Sequence, residues 1–469
     1  MQEDATSLAE AIANGRLASV EAMRACLSAA DRAADLGSIA YRDDGKGLAA
    51  AQAVDAMPLS SPERAAMPFA GVPTLGKDLG GPFAGFPMAA GSRLMARRGG
   101  FVDSDLAERY RSAGFCLFGL TTSPEFGLSL ASEPAIGPIA RNPLAPDLSA
   151  GGSSGGAAAA VASGIVSIAH ATDAGGSIRV PSACCGLVGL KPSRGLMPAG
   201  PHFGNHLAGL ATELAICRSV RDSAAMLTLL SGEARGPFPP VALAAPGDGP
   251  LRIGLLTDTG DEFPTDPDRA QAIEDAARCL EQDGHRIVPI SFSQIEAAAA
   301  SSRRAFVDIV CINLADTIAQ FNLDATKTER LTQAVIERGL GMSAGAVWRS
   351  FNAMVIVSRD LWRLFDGIDC LLTPILSSAP LPVGSFPSDH ADTDLHFDRM
   401  AAFSPLAALA NASGFPALTL PFGRDARGLP LPVQLMAPMG GDHRLLRLAS
   451  RLEQDERWTH PFPIAGLTA

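Results

Sequence analysis

Residues 151–195 read GGSSGGAAAAVASGIVSIAHATDAGGSIRVPSACCGLVGLKPSRG, and the order of glycine-rich, small and apolar blocks in this stretch decides the fold. Gly151-Gly152-Ser153-Ser154-Gly155-Gly156 opens into an alanine-rich run, Gly155 to Ser163, whose composition favours a helix. Val166 to Ala171 is suited to a buried strand. Thr172-Asp173-Ala174-Gly175-Gly176-Ser177-Ile178-Arg179 then repeats the pairing of glycine with serine, and Gly186 to Leu190 is again strand-like. Twenty-four positions separate Ser153 from Ser177, room for a helix, a turn and a strand that bring the chain back to its start. Glycines beside a serine permit positive φ and close backbone approach, as aiming several N–H groups at one oxygen requires.

Three readings of the first cluster compete. Ser153 or Ser154 is an N-cap and the glycines are turn residues. A phosphate loop would need Lys followed by Ser or Thr after the glycines, and no Lys follows Gly156. Gly151-x-Ser153-x-Gly155 also matches the nucleophile elbow of α/β-hydrolases, which is followed by an acid and then a histidine. His390, His396 and His443 stand late in the chain, but none is in a distinctive setting, and the elbow leaves the second cluster unexplained.

Outward from the clusters, apolar residues at helical spacing between Thr6 and Ala33, broken by Gly15, predict two helices. Ser104 to Ala113 reads as a helix and Cys116 to Leu120 as a short buried strand. Leu251 to Leu256, Pro267 to Gln282 and Arg286 to Ile290 form a β–α–β series beyond the Pro/Gly/Ala passage Gly236 to Pro250, which is therefore read as a surface excursion. Ala297 to Phe321 and Thr326 to Phe365 are helical in pattern, and Cys370 to Thr373 is a strand. Strands alternating with helices predict one large α/β unit.

The chain has 469 residues with a net charge of −11, a balance that argues against a nucleic-acid coat. Eight cysteines without a CxxC pair suggest neither a disulfide scaffold nor a zinc site. His202 and His206 have helical spacing but no third ligand, so no metal is expected. The acidic N-terminus is unlike a signal peptide, and no apolar stretch reaches the ~20 residues of a membrane span. The expectation is a cytoplasmic protein that needs no cofactor.

Taken together, residues 151–195 resemble the signature of the amidase signature family at nearly every position. Gly71-Val72-Pro73-Thr74-Leu75-Gly76-Lys77-Asp78 is similar to the segment that carries the family's lysine. Thr122-Ser123-Pro124-Glu125-Phe126-Gly127, Arg141-Asn142-Pro143 and Gly428-Leu429-Pro430-Leu431-Pro432-Val433-Gln434-Leu435 match further motifs. The resemblance spans most of the chain and weakens between about 236 and 370. It implies a single α/β domain over 1–469 with a mixed central sheet flanked by helices. Its signature core would cover about 71–235, and a variable pocket region about 236–400.

The resemblance implies an amide hydrolase in which Ser177 is the nucleophile, Ser153 the bridging serine after a cis peptide, and Lys77 the base. The N–H groups of Ala174, Gly175, Gly176 and Ser177 would form the oxyanion hole, with Ser154, Asp173 and Arg179 in support. An ammonium has no lone pair, so Lys77 must be neutral to act. Moving its pKa from ~10.4 toward 7 takes roughly 4–5 kcal/mol of differential destabilisation, which burial with few carboxylates nearby supplies. Asp78 is therefore expected to point away. Gly127 and Cys311 are candidates to line the substrate pocket, core burial being the competing reading for Cys311. Trp348 and Phe351 are candidates for an aromatic wall.

The expected partner is a small-molecule amide, with no nucleic acid and no membrane; a homodimer is left open. Val180 after Arg179 departs from the transamidase subunits of glutaminyl-tRNA formation, and the motifs look most like stand-alone bacterial amidases, some of which open cyclic or ω-amino-acid amides. An ammonia-supplying transamidase subunit and a non-catalytic scaffold of the same fold are the alternatives.

Overall fold

The computed structural model describes residues 3–467 apart from 96–97, 100–101, 199, 202–205, 235–237, 246 and 248. Its centre is an eight-stranded mixed sheet. In spatial order the strands are Arg286–Pro289, Arg252–Leu255, Cys370–Thr373, Pro430–Met436, Ala417–Arg424, Val188–Lys191, Thr212–Cys217 and Ile168–Asp173. The first three run parallel and the rest pair antiparallel. Strands before and after residues 236–250 thus share one sheet, as a single α/β domain requires.

A second, three-stranded sheet places Cys116–Thr121 between Ile39–Arg42 and Pro73–Lys77. It docks on the edge strand of the large sheet. Thr74 Oγ1 donates to Ile168 O at 2.9 Å, and Lys77 N donates to His170 Nδ1 at 3.1 Å. Pro73–Lys77 is a strand buried throughout, although it contains both a proline and a glycine.

The helix Gly155–Ala162 lies buried along its whole length. Its alanines are needed for approach as much as for propensity. A Cβ on Gly156 would fall 2.3 Å from Thr122 N and 2.5 Å from Ser38 O, both backbone atoms that cannot yield. Gly156→Ala is expected to destabilise the fold by about 1–3 kcal/mol through overpacking, read from denaturant midpoints at unchanged m-value.

Two expectations need correction. The strand expected over Gly186 to Leu190 begins only at Val188, and the residues before it, Cys184 and Cys185 included, belong to the helix Arg179–Cys185. The helical pattern from Thr326 to Phe365 is two helices, Arg330–Leu340 and Ala344–Phe365, bent by 101°. Ser343 caps the second through Ala346 N, which stops the first from continuing. Among the described residues no single helix is long and apolar enough to cross a membrane.

Candidate active site

The second cluster forms the turn between the edge strand Ile168–Asp173 and the helix Arg179–Cys185. Asp173 shapes it from inside: its carboxylate accepts from Gly176 N at 2.8 Å and Ile178 N at 3.2 Å. Gly176 has φ +111°, where a side chain is strained, and a Cβ there would fall 2.8 Å from Ala407 Cβ. The result presents Ser177, 7 % exposed, with a hydroxyl that has no hydrogen-bond partner among the described residues.

Arg179 locks this turn. Its Nε and Nη2 grip the two Asp173 oxygens at 2.9 and 3.0 Å, and Nη1 donates to Gln434 Oε1 at 2.9 Å. Nη2 also reaches Asn411 Oδ1 at 2.8 Å, while Asn411 Nδ2 donates to Asp173 Oδ1 at 2.9 Å. Burial alone would raise the Asp173 pKa, but the guanidinium and these hydrogen bonds outweigh it and hold the carboxyl well below the usual range. Asp173 and Arg179 are spent on each other rather than aimed at a ligand.

The first cluster approaches from the other side. The Gly152–Ser153 peptide is cis, and the turn is held by Ser132, whose hydroxyl donates to Ser153 O at 2.9 Å and accepts from Gly155 N at 2.8 Å. Ser154 N donates to Ser177 O at 3.3 Å, tying the clusters together. The Ser154 hydroxyl bridges the backbone of Thr172.

Lys77, 1 % exposed, ends its strand beneath Ser153. Its Nζ lies 2.7 Å from Ser153 Oγ and 2.8 Å from Thr172 Oγ1. Burial pushes the Lys77 amine down to about 7, against the Asp173 and Glu213 carboxylates, which favour its charged form. The Asp78 carboxylate is turned toward the segment 89–91, accepting from Ala89 N at 2.7 Å.

Of the four N–H groups expected to face an oxyanion, one is already engaged. Gly176 N–H is donated to Asp173, so Gly176 shapes the turn instead of facing the site. The N–H groups of Ala174, Gly175 and Ser177 have no acceptor among the described residues. Gly127, with φ +73°, sits where a Cβ would be 3.4 Å from Ser153 Oγ.

A cleft of about 400 Å³ opens beside Gly175, with an apolar wall of Leu130, Phe306, Val307, Phe397 and Met400 and a charged one that includes Arg303, Arg304, Asp308 and Arg338. Of the two readings of Cys311, core burial is the one the structure bears out against a place in the cleft: it is fully buried, its thiol is pushed up to about 12 by burial, and its carbonyl packs under Gly339. The cleft is lined instead by the preceding turn of the same helix. Trp348 is corrected too, standing 67 % exposed on the outer face of Ala344–Phe365, while Phe351 packs against the core. His202, weighed for zinc, lies outside the described residues. No group of three or more metal-ligating side chains occurs among the described residues. His170, Thr172 and Gln434 fall inside the quoted motifs without a role assigned to them, whereas Glu213 and Asn411 lie outside every motif.

The family model described as Amidase matches residues 21–446. The chain belongs to the amidase signature family. The amidase is 32% identical over 463 residues to a putative amidase, AmiC, of Mycobacterium tuberculosis, covering 97% of this chain and 95% of that one. It is 33% identical over 430 residues to the 6-aminohexanoate-cyclic-dimer hydrolase of Paenarthrobacter ureafaciens, with 86% of each covered. A solved 6-aminohexanoate cyclic dimer hydrolase superposes with TM-score 0.89 at 29% identity over 98% of both chains. A bacterial aryl acylamidase does so with TM-score 0.83 at 25% identity, covering 97% of this chain and 96% of that one. The amidase is thus an amidohydrolase acting on amide C–N bonds.

Proposed function

We propose that the amidase cleaves its substrate through an acyl-enzyme on Ser177, with Ser153 relaying protons and neutral Lys77 as the base. The observation that carries this reading is the buried Lys77 amine, 2.7 Å from Ser153 Oγ, with its pKa brought to about 7. Ser177 Oγ attacks the carbonyl carbon, its proton passes to Ser153, and the Ser153 proton passes to Lys77 Nζ. The oxyanion so formed is stabilised by the N–H groups of Ala174, Gly175 and Ser177. The C–N bond then breaks as the proton returns through Ser153 to the departing nitrogen, releasing ammonia or an amine. Water repeats the sequence on the ester and frees the acid.

The apolar wall of the cleft beside Gly175 suits an aliphatic or aryl group next to the scissile carbonyl, and its charged residues suit a polar end of the same substrate. The likeness to enzymes named for the 6-aminohexanoate cyclic dimer supports cyclic and ω-amino-acid amides as the first substrates to try. A hydrolysis panel of aryl, short aliphatic and cyclic amides, run beside fluorophosphonate labelling, tests the reading. A folded protein that neither labels nor hydrolyses any of them overturns it.

Because the base works only without its proton, kcat/KM is expected to rise with pH through about 7 and then level. Lys77→Met keeps the length and loses the amine. It is expected to lower kcat by about 10³-fold or more and to abolish that limb, checked by pH–rate profiles. An unchanged profile would remove Lys77 from the mechanism.

A further inference from the structure

Beside the Lys77 backbone lies a pair of polar side chains that the mechanism above does not use. His170 is fully buried on the edge strand, and its Nδ1 accepts the backbone N–H of Lys77 at 3.1 Å. An Nδ1 that accepts carries no proton, so the ring proton is on Nε2. Nε2 faces Glu213 Oε1 at 3.2 Å, off the N–H axis, so the contact is electrostatic rather than an aligned hydrogen bond. Phe83 and Tyr110 pack their rings against His170 at 5.1 and 5.8 Å and fix its plane.

Glu213 reaches Lys77 by a second route. Its Oε1 accepts from Gly81 N at 2.9 Å, four residues after the lysine. A Cβ on Gly80 would lie 2.4 Å from Oε1 and one on Gly81 3.2 Å from Oε2, so the loop leaving Lys77 wraps this carboxylate and has room only for glycine. Both ends of the Lys77 backbone are therefore held by one layer, the N–H by His170 and the following loop by Glu213.

We propose that His170 and Glu213 position Lys77: His170 fixes its backbone, and the Glu213 carboxylate fixes the loop after it and governs how readily its amine gives up a proton. The proposal rests on Lys77 being the base. Among the described residues, two charged groups act on the amine. Asp173 is gripped by Arg179, whereas Glu213 acts through the His170 layer; both favour the protonated form. Asp78 is turned toward Ala89, and the Tyr110 hydroxyl donates to Leu214 O. Removing the Glu213 charge lowers the Lys77 pKa, which moves the acid limb of activity to lower pH.

The test compares pH–rate profiles of the full chain, with the best amide of the panel, for wild type, Glu213→Gln, His170→Asn and His170→Phe. Glu213→Gln is expected to move the acid limb down by about half a pH unit or more with KM little changed. A uniform loss of rate with the limb in place, as a merely structural residue gives, would overturn the electrostatic part.

His170→Asn keeps an acceptor for Lys77 N–H and is expected to retain kcat within about tenfold. His170→Phe fills the ring space without an acceptor and is expected to lose about a hundredfold in kcat, not in KM. Equal losses in the two would overturn the positioning role. If Lys77→Met keeps the wild-type acid limb, it is the assignment of the base that fails, whatever Glu213→Gln does.

Discussion

Ser177→Ala is expected to lower kcat for amide hydrolysis by about 10⁴–10⁶-fold while leaving the fold and its stability nearly untouched. The hydroxyl has no hydrogen-bond partner among the described residues, so its loss strands no buried group and leaves only a void the size of one oxygen. The variant should give no burst of released amine and take up no fluorophosphonate, at a wild-type circular dichroism spectrum. Residual turnover above background would come from substrate held against the N–H groups of Ala174 and Gly175 and attacked directly by water. A loss of less than about tenfold, with labelling retained, would move the nucleophile elsewhere.

The second large effect is on stability. Arg179→Met is expected to cost about 3–5 kcal/mol, because it removes the cation from a fully buried pair and leaves its carboxylate uncompensated. Asp173, Asn411 and Gln434 all lose a donor at once. The pH dependence follows with its sign. The Asp173 pKa is held low in the folded protein, so the stabilisation is present above the unfolded carboxylate pKa and lost as pH falls through the folded one. In Arg179→Met the carboxyl is no longer held low, so unfolding should set in at higher pH than in wild type. Urea midpoints measured across the acid range check both. An Asp173→Asn/Arg179→Met double variant less damaged than the sum of the singles would show the coupling directly.

Much of this site is written locally, and some of it is not. The two glycine–serine clusters, the alanine helix between them and the helix Pro267–Gln282 follow from composition and spacing, because local propensity and burial demand the same thing there. The strand carrying Lys77 does not. Its glycine and proline favour a turn, and it is extended because Cys116–Thr121 pairs along it and the edge strand of the large sheet takes further bonds. His170 and Glu213 look like ordinary polar residues on strands; their meaning comes from lying opposite residues about a hundred positions away. Asn411 sits in a run of alanines with no local mark at all, yet it meets Arg179 across 232 positions.

The two residues that do not line the cleft have separate causes. The helix Glu296–Gln320 is buried on several faces, so its apolar pattern does not say which face meets the cleft, and Cys311 went to the neighbouring helix. Trp348 lies beyond the bend, where the chain has already turned away.

The docking of the small sheet on the large one places the proposed machinery on both sides of one seam. Ser177 and its N–H donors belong to the large sheet, whereas the amine arrives on a strand of the small one, fastened by contacts such as those of Thr74 and Lys77 with the edge strand. A sub-global opening that parts the two sheets would thus leave the nucleophile folded and switch it off. On the proposed mechanism the seam between the two sheets is what holds the general base, so turnover is expected to fall when that seam loosens, before any spectroscopic sign of unfolding.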